Sequence, residues 1–179
     1  MITPRITPSL LPLAALLAVA APGVAAPADE VPVEINAPGG EQLILRAHAE
    51  GVQIYVCTAT PATTQWTLKA PEAELRDARG KVVIHHSAGP SWKHQDGSEI
   101  TGKAVARADS PDHTSVPWLL LAVIAHSGPG VLAHVTHVQR IHTHGGQPPP
   151  AAQCAGAKVN TEARVRYAAD YLFYAPVAP

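Results

Sequence analysis

Leu43-Ile-Leu-Arg-Ala-His-Ala-Glu-Gly-Val-Gln-Ile-Tyr-Val-Cys57 decides the fold class. Leu43, Leu45 and Ala47 alternate with Gln42, Ile44 and Arg46, and Val52, Ile54 and Val56 alternate with Gln53, Tyr55 and Cys57. A period of two belongs to β-strand, whose successive side chains point to opposite faces. Gly51, between the two runs, suits a connecting turn.

The same period continues outward in Trp66, Leu68 and Ala70. Ala70 to Arg79 has helix-favouring residues with Gly80 as a stop, but it is barely long enough for a stable helix. Asp77-Ala-Arg-Gly80 also reads as a turn into Lys81-Val-Val-Ile-His-His86, so strand–turn–strand is the expectation. Within Trp92 to Ile100, Asp96-Gly97 predicts a tight hairpin, because that pair tolerates the positive φ such turns demand. Pro117-Trp-Leu-Leu-Leu-Ala-Val-Ile124 is a continuous apolar run, short enough for a strand buried on both faces.

Gly128-Pro-Gly130 turns the chain into Val131–Thr143, the longest alternating segment. On it Val131, Ala133, Val135, His137, Gln139 and Ile141 share one face; Leu132, His134, Thr136, Val138, Arg140 and His142 share the other. Gly145 to Pro150 reads as a loop. Val165 to Tyr174 then puts Val165, Tyr167, Ala169, Tyr171 and Phe173 on one face, with a short helix as the alternative. Eight to ten short strands with Gly/Pro turns predict an all-β, single-domain antiparallel β-sandwich or closed β-barrel with one disulfide. An immunoglobulin sandwich fits poorly: its marker tyrosine precedes the second cysteine, whereas Tyr55 precedes the first.

The N-terminus bears on location. Arg5 is the only charge before Asp29, and Leu10 to Ala20 is an apolar core followed by Pro22-Gly23 and small residues. That order is a secretory signal peptide, and Ala26-Pro27-Ala28 offers the small-residue exit. The apolar run is shorter than the roughly 20 residues a bilayer span needs, so no membrane span is expected after cleavage. The reading is a signal peptide over 1–28, an extended lead-in over 29–40, a β-domain over 41–174 and a C-terminal tail over 175–179, in a secreted or periplasmic protein.

Cleavage removes Arg5 from the 13 Lys and Arg, leaving a near balance against 14 Asp and Glu, so the chain lacks the basic footprint of a nucleic-acid binder. All 10 histidines lie in the mature part, whose charge therefore rises between roughly pH 7 and pH 5. Cys57 and Cys154 are the only cysteines, and in an exported chain an even count with one possible pairing reads first as a bridge.

Several segments in order resemble one known family: Leu45 to Cys57, Trp66 to Leu75, and Ala88-Gly-Pro-Ser-Trp-Lys-His-Gln-Asp-Gly-Ser98. Pro117 to Leu121, Gly130 to Ala133, Val138 to Ile141 with Thr143, Gly145-Gly146, Cys154 and Ala169-Asp-Tyr171 follow. Over about residues 41–174 the chain resembles the exported domain-of-unknown-function family 3455 (DUF3455). The resemblance implies a shared fold and a Cys57–Cys154 pair; it supplies no reaction, substrate or catalytic residue. Some fungal relatives carry a malate dehydrogenase label, which nothing here supports, because no G-x-G-x-x-G follows a strand and no βαβ alternation appears. No cofactor is expected.

As metal ligands, His142 and His144 are two apart and His134 shares their face, with His85-His86 as a second source. Two histidines on one strand make half a site, and no Asp, Glu or Cys accompanies them at ligand spacing, so solvated surface histidines are the favoured reading. Ser127 lies in Ala-His-Ser-Gly-Pro rather than a nucleophile elbow, and Ser98 beside Asp96 suits the hairpin turn. The constellation that stands out is Trp92, Lys93, Gln139, Arg140 and Thr143: a flat apolar face beside charge-assisted donors, suited to sugars, acidic polymers or small acids in a cleft, although Trp92 packed in the core and Arg140 ion-paired with a loop acid is the favoured structural reading of the same residues. The leading expectation is a non-enzymatic extracytoplasmic module binding a ligand or cell-envelope component. A secreted hydrolase with a site near Trp92 and Arg140 comes second, and a histidine-based metal binder third.

Overall fold

The structure is a computed structural model that describes residues 30–59, 61–155 and 159–178. The expected signal peptide lies outside the described residues. Eight strands follow one another: β1 (Glu41–Ala59), β2 (Thr64–Arg76), β3 (Val82–Ser87), β4 (Ser91–His94), β5 (Glu99–Ala108), β6 (Trp118–Ser127), β7 (His137–Gly145) and β8 (Glu162–Pro176). Each pairs antiparallel with its neighbour, and β1 pairs with β8, so the sheet closes into a barrel. Of sandwich and barrel, the barrel is realised. Closure removes the unpaired edges that an open sheet of this size would present.

Gly51 is not a turn. β1 runs unbroken through it, because a Cβ there would fall 2.5 Å from the Cα of its cross-strand partner Ala73. Glycine lets the two strands approach this closely, and small inward residues (Ala47, Ala49, Ala73) leave room for the large rings opposite. Strand β2 extends through Arg76, and Asp77 Oδ1 accepts from the backbone N–H of Arg79 and Lys81 in the turn that follows. The segment 70–79 is therefore strand and turn, as its Asp-Ala-Arg-Gly ending predicts. The Asp96-Gly97 hairpin joins β4 to β5.

The long alternating segment before Thr143 is only partly strand. Residues 131–134 form a turn and β7 begins at His137. Alternation from Val131 is therefore misleading: the turn buries both Leu132 and Val135, one from each of the two alternating sets. The period also breaks at His142, whose φ of 48° accompanies a bulge against β8.

The interior core gathers Leu75, Ile84, Trp92, Val138, Tyr171 and Phe173, among others. A second cluster lies on the outer wall. The expected lead-in, described from residue 30 on, is not extended throughout: Val33–Ile35 form a 3₁₀ turn that lays Ile35 against Trp118, Leu120, Ile141 and Leu172. This explains the continuous apolar run in β6, where Leu119 and Leu121 face the interior cluster while Trp118 and Leu120 face the lead-in. Burying one side chain such as Ile35 stabilises by about 1.5–3 kcal/mol. Gln139 clamps the same contact, donating from Nε2 to the Ile35 carbonyl at 2.8 Å.

Cys57 and Cys154 are bonded, tying β1 to the loop before β8, and both are fully buried. No helix among the described residues is long and apolar enough to cross a membrane.

Candidate functional site

Strands β3, β4, β7 and β8 converge inside the barrel on a cavity of about 450 Å³. His86 of β3 sits directly opposite Trp92 of β4 in the ladder, and their rings stack with centroids 4.6 Å apart. Tyr171 packs edge-on against both. Gly102 of β5 makes room for the indole, since a Cβ there would lie 3.0 Å from Trp92 Cζ3. Arg140 of β7, paired with Tyr171 in the ladder, projects into the same cavity. From β1 come Gln53 and Tyr55, whose hydroxyl donates to the Gly146 carbonyl at 2.7 Å.

The polar atoms of this lining are unusual. Arg140 is 9% exposed, and its one protein hydrogen bond among the described residues runs from Nη2 to the Pro117 carbonyl at 2.8 Å. Its Nε is buried without a partner, as are Trp92 Nε1 and Gln53 Nε2. All three are donors. Buried polar groups are ordinarily satisfied, each exception costing about 1–3 kcal/mol; of the five such side-chain atoms among the described residues three belong to this lining, the others being Glu41 Oε2 and Trp118 Nε1. No aspartate or glutamate lines it. A guanidinium cannot shed its proton, so the interior carries an uncompensated positive charge.

His86 does not add to that charge. Desolvation lowers its pKa to about 4, with the Arg140 charge acting in the same direction and its hydrogen bond to Ser91 acting against both. Its Nδ1 lies 2.7 Å from the Ser91 carbonyl, which can only accept, so Nδ1 carries the proton and Nε2 is the bare nitrogen. Burial likewise raises the pKa of Tyr55 and, more strongly, of Tyr167, keeping both phenols protonated.

Residues 38–175, most of the chain, match the family described as "Protein of unknown function (DUF3455)". The chain belongs to the DUF3455 family. No curated protein and no solved structure matches it. The match spans every residue of the cavity lining and both cysteines.

The five residues singled out in sequence separate in this DUF3455 barrel. Trp92 and Arg140 line the same cavity, within the closed barrel. Lys93, next to Trp92 on the same strand, points outward and is exposed. Gln139 lies on the outer wall under the lead-in, accepting from the Tyr174 hydroxyl as well as donating to Ile35. Thr143 donates to the Val116 carbonyl at 2.6 Å, a bond that holds the chain between β5 and β6 against β7.

Gln53, Tyr55, His86 and Tyr171 join the cavity without having been expected there. One sequence signal pointed to the first two: they share a face with Cys57, and a bridged cysteine is a buried one.

The histidines do not assemble. His134 is exposed in the turn before β7 and His144 is exposed beyond the bulge, while His142 Nδ1 donates to Asp170 Oδ2 at 2.9 Å. His48, across the ladder from Asp170, donates to its other oxygen at 2.8 Å. Among the described residues no three or more His, Cys, Asp or Glu side chains are placed to share a metal ion. Asp96 accepts from the Ser98 and Val131 backbone N–H and from the Ser98 hydroxyl, tying the β4–β5 hairpin to the loop before β7.

A larger hollow of about 940 Å³ also has His86 in its lining, with Ala73 and Tyr167 of the core and, around them, Glu50, Glu72, Glu74, Arg76, Arg164 and Arg166. Two of these acids are already paired, Glu72 with Arg164 and Glu74 with Arg76, both at 2.8 Å. Exposed pairs of this kind contribute about 0–1 kcal/mol and leave little unmet demand for a ligand. The smaller interior cavity is the better site.

Proposed function

We propose that this chain is an exported, non-enzymatic binding protein that holds a small molecule inside its β-barrel. One observation carries the reading: a single interior cavity is lined by Arg140, a buried cation with no acid in the lining, and by Gln53 and Trp92, each of the three holding a buried donor without a protein partner. Small-molecule sites span about 300–1,000 Å³ and combine an apolar wall with a few fixed polar groups. This cavity, with its rings and leucines around Gln53, Trp92 and Arg140, fits that description in size and composition.

The hydrolase alternative lacks parts. The lining contains no serine, threonine, cysteine or carboxylate to serve as nucleophile, so the bare Nε2 of His86 has no such group beside it to activate. Export is supported by the apolar N-terminal segment with its A-x-A exit and by the Cys57–Cys154 bond, which persists in oxidising compartments. N-terminal sequencing of protein recovered outside the inner membrane should begin at or near Asp29.

NMR screening of a chemically diverse fragment collection tests the binding role. Hits should shift the indole N–H resonance of Trp92. If every hit moves only surface amides, the interior is not a binding site and the reading fails.

A further inference from the structure

We propose that the ligand is a small organic monocarboxylate with an apolar body, its carboxylate facing Arg140. The inference rests on the reading of the barrel interior as the binding site and adds the chemical class.

Charge comes first. Two cations line the cavity, Arg140 and Lys69, and no acid does. Lys69 is exposed and already paired with Glu162, so it contributes little inside. Arg140 is the only buried cation among the described residues, and no carboxylate there pairs with it. Burying one member of an ion pair alone is costly, whereas a matching anion restores the balance. A carboxylate supplies it with the planar geometry that a guanidinium fork accepts.

Donor count points the same way. Of the five N–H groups of Arg140, one at Nη2 is committed to Pro117 and the Nε group has no protein partner, so most of the fork's donors are unspent. A carboxylate accepts only, through two oxygens with about four lone-pair sites. A neutral sugar would satisfy some of these donors but leave the guanidinium charge unmatched, and a cationic ligand would meet a like charge. Phosphate carries roughly two negative charges at neutral pH, against one buried cation and a neutral His86. It also has no apolar part to fill the wall made by Val116, Pro117, Leu119, Leu121, Trp92 and Tyr171.

The test compares acids with their uncharged isosteres on the whole mature protein, disulfide intact, at pH 7. Benzoate and octanoate are titrated beside benzamide, octanamide and inorganic phosphate, following the Trp92 indole N–H and calorimetric heat. At least one acid should bind tenfold or more tightly than its amide, with phosphate weaker than that acid. Arg140→Met, checked by thermal melt, should bring the acid's affinity down to that of the amide, while Arg140→Lys should retain part of the difference. The acid–amide comparison on the unaltered protein stands even if either variant misfolds.

Equal binding of acid and amide, or phosphate as the tightest of the set, would overturn the ligand class while leaving an interior binding site intact. If neither acid binds, the class is likewise wrong. If, in addition, no fragment of any chemistry shifts Trp92, the binding role falls with it.

Discussion

Acidification should destabilise this barrel through His86, over a window set by how deeply the imidazole is buried. His86 is 3% exposed, stacked on Trp92, and faced by Tyr171 and by the Arg140 charge. Its pKa is lowered to about 4 in the fold, mainly by desolvation, from the ordinary histidine value of 6.5. Between these two values the unfolded chain binds a proton that the folded chain does not, so stability falls as pH drops. The contribution is fully present above about pH 6.5 and is lost as pH descends towards 4. At about 1.4 kcal/mol per pH unit, the loss amounts to about 3 kcal/mol, a large share of the 5–15 kcal/mol typical of a domain.

Urea unfolding of the oxidised protein from pH 7.5 to pH 4 measures the effect, with His86→Asn as the control. The amide keeps a donor near the position of Nδ1, so Ser91 need not be stranded, while the titrating group is removed. The variant will carry a roughly constant penalty for the lost ring. The wild type's advantage over it should shrink by about 3 kcal/mol across the window. A direct NMR titration should put the His86 midpoint near 4. Parallel pH profiles for the two proteins, or a midpoint near 6.5, would refute the reasoning that burial keeps this imidazole neutral.

Three further outcomes follow from packing. Replacing both Cys57 and Cys154 by serine should cost about 4–5 kcal/mol by urea unfolding, because the bond closes a loop of 97 residues. Gly102→Ala should lower the melting temperature through a loss of about 1–3 kcal/mol, since its Cβ would press on Trp92 Cζ3 at 3.0 Å and on the Ala122 carbonyl at 3.4 Å. Gln139→Ala should cost about 1–3 kcal/mol by leaving the Ile35 carbonyl without its donor. Hydrogen exchange should then show faster opening of residues 33–36 than of the barrel strands.

The strands themselves were legible in sequence because their signals are local. Alternation around Tyr171 and Phe173, the Asp96-Gly97 pair and the run after Pro117 each act over a few residues, and each became the expected strand or turn. Where a local signal was overread, a local conflict explains it. Gly51 looked like a turn because glycine serves both turns and close strand crossings, and only the presence of Ala73 opposite separates the two. Val131 to Thr136 alternates in composition but folds as a turn, since hydrophobic pattern constrains which residues are buried and not the backbone path that buries them.

By itself, then, the sequence determined an all-β domain and made a bond between its only two cysteines the first reading. Only the tertiary structure decided that the sheet closes, with β1 lying against β8, and that the Gln53–Tyr55 face turns inward to meet Arg140. The physical reason is that a period of two states which side chains share a face but not which face is the inside. That choice is made by contacts between residues far apart in the chain, such as Gln53 in β1 and Arg140 in β7, which no local pattern records.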